Sequence, residues 1–136
     1  VAIPDKGDKL RLSSGTELEF IPTHYLHSTG NFTVYDQKAK ILFSGDLGTA
    51  IFNKGQRYVF VEDFSAHTKL MEGFHKRYIT SSVALKKWLS IVETKQIDIV
   101  ATQHGALFRD ANVRKLFDWF KGLRCGIDII DEIYGR

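Results

Sequence analysis

Apolar residues in the first half of the chain fall into short runs that are rich in β-branched and aromatic side chains. Runs of this kind are typical of β-strands, because such side chains pack well on a pleated surface. The predicted strands are ELEFIP at 17–22, NFTVYD at 31–36, KILFSG at 40–45 and RYVFVE at 57–62. Only three residues, 37–39, separate the second run from the third. This polar connection is short enough to predict an antiparallel hairpin.

The second half of the chain has apolar residues at helical spacing. The pattern predicts helices over 65–78, 82–93 and 110–121, the first with Leu70, Phe74 and Tyr78 on one face. Ser81 or Ser82 is a suitable N-cap for the second helix, since a serine hydroxyl accepts a hydrogen bond from a free backbone N–H of the first turn.

Other parts of the chain carry weaker patterns. IDIVAT at 97–102 is a continuous apolar run and predicts a buried strand. The opening VAIPDKGDKL is polar and turn-like, and 123–136 fits a short helix, a strand or a connection equally well.

Composition places the chain among ordinary globular domains. It has 136 residues, of which 43% are apolar and 26% charged, so we expect one domain. The formal charge of +3 comes from scattered basic residues, and we expect no nucleic-acid partner. A single cysteine, Cys125, excludes an internal disulfide, and neither a signal peptide nor a membrane-spanning run is apparent. We therefore expect a cytoplasmic protein without membrane contacts.

The candidate chemistry lies just after three of the predicted strands. His27, Asp46 and His104 each follow such a run and are close to glycine or small residues. Loops at strand ends hold reactive side chains in defined, accessible positions. Two imidazoles and one carboxylate are also a ligand set for zinc or iron. Spacing alone leaves a second interpretation open, in which the three are ordinary loop and turn residues.

Several further residues are candidates for a supporting role. His24 and His75 are predicted to orient a ligand or to contact the site, and Tyr25 and Tyr78 to line a small pocket that would suit a diatomic gas. The alternative for each of these residues is that it only packs against neighbouring side chains. His67 is predicted to lie on the surface.

The thiol of Cys125 is the remaining candidate for a reactive group. Arg124 precedes Cys125 in the sequence, and a neighbouring cation can lower a thiol pKa. No base is adjacent in sequence, so we do not expect Cys125 to be a nucleophile.

The three ligand motifs, LHSTGNFTVYD, LFSGDLG and TQHGALF, resemble the second half of a metallo-β-lactamase-fold domain. The resemblance is closest to the di-iron branch, the flavodiiron proteins and oxygen-binding di-iron proteins. FHKRYITSSVALKKWL at 74–89 is also similar to a segment of the latter. The resemblance covers roughly residues 17–125 and implies an α+β fold, half of an αββα sandwich with a mostly antiparallel sheet and flanking helices.

The resemblance also implies a role for each ligand. His27 would bind one iron, Asp46 would bridge two, and His104 would bind the other. The family's remaining ligands come from an upstream H-x-[EH]-x-D motif, which this chain does not contain. We therefore expect residues 1–136 to be the C-terminal part of the domain, to bind iron weakly, and to be inactive alone. The partner would be a complementary N-terminal half or a second copy of the chain.

The function implied by the resemblance is binding, sensing or reduction of O2, or of NO. In the family a reductase takes its electrons from an FMN domain or another redox partner, and such a domain would lie outside these residues. Two alternatives remain open at this point. One is a zinc-dependent hydrolase of the same superfamily, and the other is an interaction module without metal.

Overall fold

The computed structural model describes residues 2–136 and places six strands in one sheet. The strands are β1 (Asp8–Arg11), β2 (Glu17–Pro22), β3 (Phe32–Asp36), β4 (Ile41–Gly45), β5 (Ile99–Thr102) and β6 (Phe108–Arg109). The helices are α1 (Phe64–Tyr78), α2 (Ser82–Val92), α3 (Ala111–Gly122) and α4 (Ile130–Tyr134), with a 3-10 turn at Gly126–Ile129.

The strands lie in the order in which they occur in the chain. β4 and β5 are parallel, and every other neighbouring pair is antiparallel. The expected α+β fold with a mostly antiparallel sheet is confirmed, as is the hairpin between β3 and β4. Because two antiparallel steps separate β2 from β4, the strands β2, β4 and β5 all end at the same edge of the sheet.

One face of the sheet packs against the helices. Alternate residues of the inner strands, such as Ile21, Tyr35, Leu42 and Val100, point to this face and are buried. Polar contacts reinforce the packing, since the indole N–H of Trp88 in α2 donates to the Thr33 hydroxyl at 3.0 Å. Burial of these apolar side chains is the main stabilising contribution.

The opposite face of the sheet is apolar and incompletely covered. Leu18, Phe20, Val34 and Phe43 lie on it, in register across neighbouring strands. Phe43 keeps 47% of its surface exposed. A contiguous exposed apolar face on a soluble domain is typical of a surface that packs against something else.

The helix ends follow local hydrogen-bonding rules. Asp63 caps α1, accepting from the Ala66 N–H, and Ser81 caps α2, accepting from the Ala84 N–H. Of the two serines that the sequence allowed, Ser81 is therefore the cap. Among residues 2–136 no helix is long and apolar enough to cross a membrane.

The predicted strand at 57–62 is wrong. This segment makes a single bridge, between Phe60 and Leu107, and two backbone hydrogen bonds to Leu107. Its β-branched composition suits a pleated surface, but the partner segment offers too few residues for a ladder.

Two strands were missed by the sequence analysis. β1 lies in the opening segment and is exposed along its whole length, so it carries no apolar signal. β6 has only two residues, and its pairing with β5 is a tertiary contact that no local pattern encodes.

Candidate metal centre

Three loops meet at the edge of the sheet where β2, β4 and β5 end. The loop after β2 carries His27, the turn after β4 carries Asp46, and the loop after β5 carries His104. The shared strand direction brings them to one edge, although His27 and His104 are 77 positions apart in sequence.

His27 and Asp46 lie next to each other. His27 Nε2 is 3.6 Å from Asp46 Oδ2, and the two side chains keep 39% and 22% of their surface exposed. The His27 ring packs edge-on against Phe74 and Tyr78 of α1, with ring centroids 5.6 and 5.7 Å apart. The aromatic rings therefore form a wall that holds the imidazole beside the carboxylate.

The His27 backbone has an unusual conformation. Its φ is +79°, in the left-handed region that residues with a side chain seldom adopt. Tyr25 also has a positive φ, of +64°, and the residue between them, Leu26, is buried and bridged to Ile79. Strained backbone of this kind persists only where the surroundings hold it, and it occurs often at functional sites.

His104 is tied to the Asp46 turn through its backbone. The Gln103 N–H donates to the Gly45 carbonyl at 2.8 Å, and the Ala50 N–H donates to the His104 carbonyl at 3.3 Å. Gly105 has a φ of +101°, and a Cβ there would lie 2.9 Å from the Ala50 nitrogen. Glycine is therefore required for this close approach of the two loops.

The three predicted ligands do not form one cluster in residues 2–136. No group of three or more His, Cys, Asp or Glu side chains in this range is arranged to hold a metal ion. The structure brings His27 and Asp46 together, while the exposed His104 is connected to them through its loop. All three loops were predictable from the sequence, and His27 and Asp46 are the pair that the fold places 3.6 Å apart.

His75 lies directly beneath the Asp46 turn. It is fully buried, its Nε2 accepts from the Gly48 N–H at 3.0 Å, and its Nδ1 is 2.8 Å from the Met71 carbonyl. A carbonyl only accepts, so Nδ1 carries the proton. Burial lowers the pKa of His75 from 6.5 to about 4, with smaller opposing effects from the Met71 carbonyl and Asp46. A neutral imidazole thus fixes the turn that carries Asp46.

The other predicted supporting residues point elsewhere or outward. His24 Nε2 lies 2.6 Å from the Asp5 carbonyl, and its ring packs edge-on against Phe32. Tyr25 is 58% exposed. Tyr78 is also largely exposed. Of the two predicted pocket tyrosines, Tyr78 contacts the His27 ring.

The prediction that His67 lies on the surface is wrong. His67, Met71 and His75 repeat at four-residue intervals and form the buried face of α1. The Tyr58 hydroxyl is 2.6 Å from His67 Nδ1, whereas its Nε2 is buried without a hydrogen-bond partner in residues 2–136. Burial lowers the pKa of His67 to about 4. The spacing of these two histidines around Met71 was the signal in the sequence.

Arg124 does not lower the pKa of the neighbouring Cys125 thiol. Burial raises the pKa of the Cys125 thiol to about 11, and the charge of Asp128 adds to the effect. The Arg124 guanidinium is directed to the Asp128 carbonyl and to Glu132 instead. A buried thiol of this kind is inert at neutral pH.

The donor types at this edge suit a transition metal. An imidazole nitrogen and a carboxylate oxygen both bind iron and zinc, and their separation of 3.6 Å is compatible with one ion lying between them. Two donors do not hold an ion tightly, so more ligands would be needed for a complete site.

The chain has the same fold as solved structures of a chemotaxis sensor and of a flavodiiron protein. The chain superposes on a structure described as the peroxy diiron species of chemotaxis sensor ODP, with 44% identity and a TM-score of 0.91. The match covers 98% of this chain and 55% of that one. The apo state of chemotaxis sensor ODP from T. denticola matches with 44% identity, a TM-score of 0.92 and the same coverage.

More distant relatives share less of the sequence. A flavodiiron protein from Giardia intestinalis has a TM-score of 0.78 at 22% identity, over 88% of this chain and 29% of that one, which shows the fold alone. A putative diflavin flavoprotein A 1 from Nostoc sp. is 31% identical over 108 residues, 76% of this chain and 18% of that protein. The chain thus spans about half the length of the ODP structures and a smaller share of the flavoproteins.

The family model described as ODP family beta lactamase matches residues 1–105. This range contains all three candidate ligands, including His104. The sequence match agrees with the fold and with the resemblance of the ligand motifs. The chain therefore belongs to the ODP family of β-lactamase-like proteins.

Proposed function

We propose that this chain contributes part of the non-haem di-iron centre of an O2-binding sensor. In this proposal His27 would bind one iron, Asp46 would be a ligand shared by both, and His104 would bind the other. The observation that carries it is the proximity of His27 and Asp46, 3.6 Å apart, at the edge where the His104 loop also ends. The description of the 44% identical relatives as a chemotaxis sensor with a diiron species supports it.

The proposal names a sensor of O2 in preference to a reductase. The relatives that match over 98% of the chain are described as a sensor, whereas the flavodiiron protein at 22% identity shares the fold alone. FMN and a redox partner are therefore not part of the proposal. Binding of NO would be an outcome of the experiment below.

The remaining ligands would come from a complementary part of the domain. The chain covers 55% of the length of the ODP structures, and its apolar sheet face carries Phe43 at 47% exposure. We propose that the complementary half packs on this face and completes the site. Three ligands shared between two ions are too few for tight binding, so this completion is needed for stoichiometric iron.

The residues of this chain have distinct tasks in the proposed site. Phe74 and Tyr78 restrict the rotation of the His27 ring by packing against it. His75 holds the turn after Asp46 through the Gly48 N–H, so that the carboxylate keeps its direction. When bound, ferrous ions would supply the electrons and the open coordination positions for the gas.

The test is metal analysis of the full-length natural protein, purified without oxygen. We expect two irons per chain and an absorption change on exposure to O2. Asp46→Asn should remove at least one iron, because an amide is a poor bridging ligand. Asp118→Asn, at an exposed carboxylate of α3, is the matched control and should keep both irons.

Three results would contradict the proposal. Zinc in place of iron would indicate the hydrolase, and a metal-free natural protein would indicate an interaction module. An absorption change with NO but none with O2 would show that the wrong gas was named.

A further inference from the structure

A second surface feature lies next to the loop that carries His27. It is a groove of about 690 Å³ between that loop and α2. Its apolar wall is formed by Pro22, Tyr25, Val83, Ala84 and Ile91. Val83 keeps 74% of its surface exposed, although it lies on a helix whose other apolar residues are mostly buried. The groove joins apolar residues of the loop and of α2 into one concave surface, which is the form that binding sites for small ligands and side chains take.

The charges at the groove all have one sign. Lys6 and Lys87 lie at its margin, and no carboxylate lines it. Within residues 2–136 neither ammonium pairs with an acidic side chain, whereas Lys9 pairs with Glu17 at 2.7 Å and Lys95 with Glu19 at 2.7 Å. His24, the other basic side chain of the lining, has its Nε2 2.6 Å from the Asp5 carbonyl, and the Tyr25 phenol also lines the groove.

The groove is separate from the uncovered sheet face. None of Leu18, Phe20, Val34 and Phe43, which define that face, lines the groove. Packing of a complementary half on the sheet therefore does not require the groove to be filled. The two surfaces also differ in charge, because Lys6 and Lys87 line the groove, whereas Asp8 and Asp36 pair with Phe20 and Leu18 on the sheet face.

The groove and the candidate centre share one loop. Tyr25 faces the groove and His27 faces Asp46, with the buried Leu26 between them. A molecule packed against Tyr25 thus contacts the segment that positions a predicted ligand.

We propose that this groove is a docking surface for an acidic, amphipathic segment of a partner protein. Apolar side chains of that segment would fill the space beside Val83 and Tyr25, and its carboxylates would pair with Lys6 and Lys87. The charge pattern favours such a segment, since one sign of charge around an apolar floor selects the opposite sign around an apolar ligand. The volume is within the range of pockets that bind a few side chains or a small ligand.

The probe is a fluorescein-labelled 15-residue peptide of leucine and glutamate at helical spacing, titrated with the full-length protein and followed by anisotropy. A second peptide with glutamine in place of every glutamate is the control for charge. We expect the acidic peptide to bind and the glutamine peptide to bind about tenfold more weakly, with an affinity for the acidic peptide that falls as salt rises.

Protein variants locate the binding. Lys6→Glu combined with Lys87→Glu should weaken the acidic peptide about tenfold, as should Val83→Asp. Lys86→Glu, on the neighbouring exposed lysine that does not line the groove, is the matched control and should bind as the wild type. Circular dichroism and iron content are measured on the same samples, so that failure of docking is distinguished from misfolding and from failure of the proposed metal function.

The following outcomes would overturn the proposal. One is equal binding of the two peptides, and another is equal loss with Lys86→Glu and with the groove variants. Binding to vesicles with anionic lipid but not to the peptide would assign the groove to a membrane. The last is that the full-length protein does not bind the peptide and that its Lys87 resists acetylation by a chemical reagent. This result would show that the rest of the chain covers the groove.

Discussion

The buried His67 predicts a specific sensitivity of this protein to acid. The residue is 1% exposed, its Nδ1 lies 2.6 Å from the Tyr58 hydroxyl, and its Nε2 is buried without a hydrogen-bond partner in residues 2–136. Burial lowers its pKa from 6.5 to about 4. Substitution by phenylalanine keeps an aromatic ring of similar size among Phe52, Tyr58 and Phe108 and removes the titratable group.

The direction of the effect follows from proton binding. Between pH 6.5 and about 4 the unfolded chain binds a proton at His67 and the folded chain does not. Stability from this group is therefore complete above pH 6.5 and is lost as the pH falls toward 4. At about 1.4 kcal/mol for each pKa unit, the loss is roughly 3 kcal/mol. With a urea m-value of about 1–3 kcal/mol per molar, it lowers the unfolding midpoint by roughly 1–3 M.

The assay is urea unfolding at several pH values between 7 and 4, with His67→Phe compared to wild type. At pH 7 we expect the two to differ by no more than about 1 kcal/mol, because one hydrogen bond is lost and one buried nitrogen without a hydrogen-bond partner is removed. At pH 4 the variant should gain about 3 kcal/mol relative to wild type. Tyr58→Phe is the control, since it removes the hydrogen bond and keeps the buried imidazole. Parallel pH dependences of wild type and His67→Phe would refute the reasoning.

Three further predictions concern backbone geometry, thiol reactivity and the open sheet face. Gly48→Ala should destabilise the folded protein by about 1–3 kcal/mol, because the φ of Gly48 is +97° and the new Cβ would lie 2.6 Å from Thr102 Cγ2. Gly73→Ala, in a helix where the new Cβ meets open space, should stabilise the folded protein by about 0.5–1 kcal/mol. Both are measured by thermal unfolding, and equal effects of the two variants would contradict this prediction. Cys125 should resist iodoacetamide at pH 8 in the folded protein and react in urea, by mass spectrometry; rapid native alkylation would show that the thiol is accessible. Phe43→Asp should reduce self-association of residues 1–136 in light scattering, and an unchanged mass would indicate that this face is not the contact.

Local signals were sufficient for most of the elements. The three long helices and β2 to β5 were predictable because apolar periodicity and capping residues such as Ser81 act within a few residues. The segment 57–62 had the composition of a strand but lacked a partner long enough to form a ladder. β1 pairs with β2 along its whole length but has no apolar pattern in the sequence. At both segments the composition and the actual pairing therefore disagree.

The candidate centre shows the same division. His27, Asp46 and His104 were identified as residues that follow strands, and their order in the chain matched a family pattern. Their meeting at one edge depends on the parallel pairing of β4 with β5 and on the two antiparallel steps between β2 and β4. The surface prediction for His67 failed because the apolar residues Leu70 and Phe74 indicated the buried face of α1, whereas they are partly buried and the adjacent face with His67 and Met71 is the fully buried one.

The sequence by itself determined the type of each main element and the donor groups that follow the strands, because hydrophobic periodicity and side-chain chemistry are local properties. Tertiary structure decided which histidines are buried, how close His27 lies to Asp46, and where Lys6 and Lys87 meet around one groove. Those features depend on contacts between residues distant in sequence. The free energies of these features depend on how deeply each side chain is buried and on the distances between charges. Both quantities are fixed only when the chain is folded.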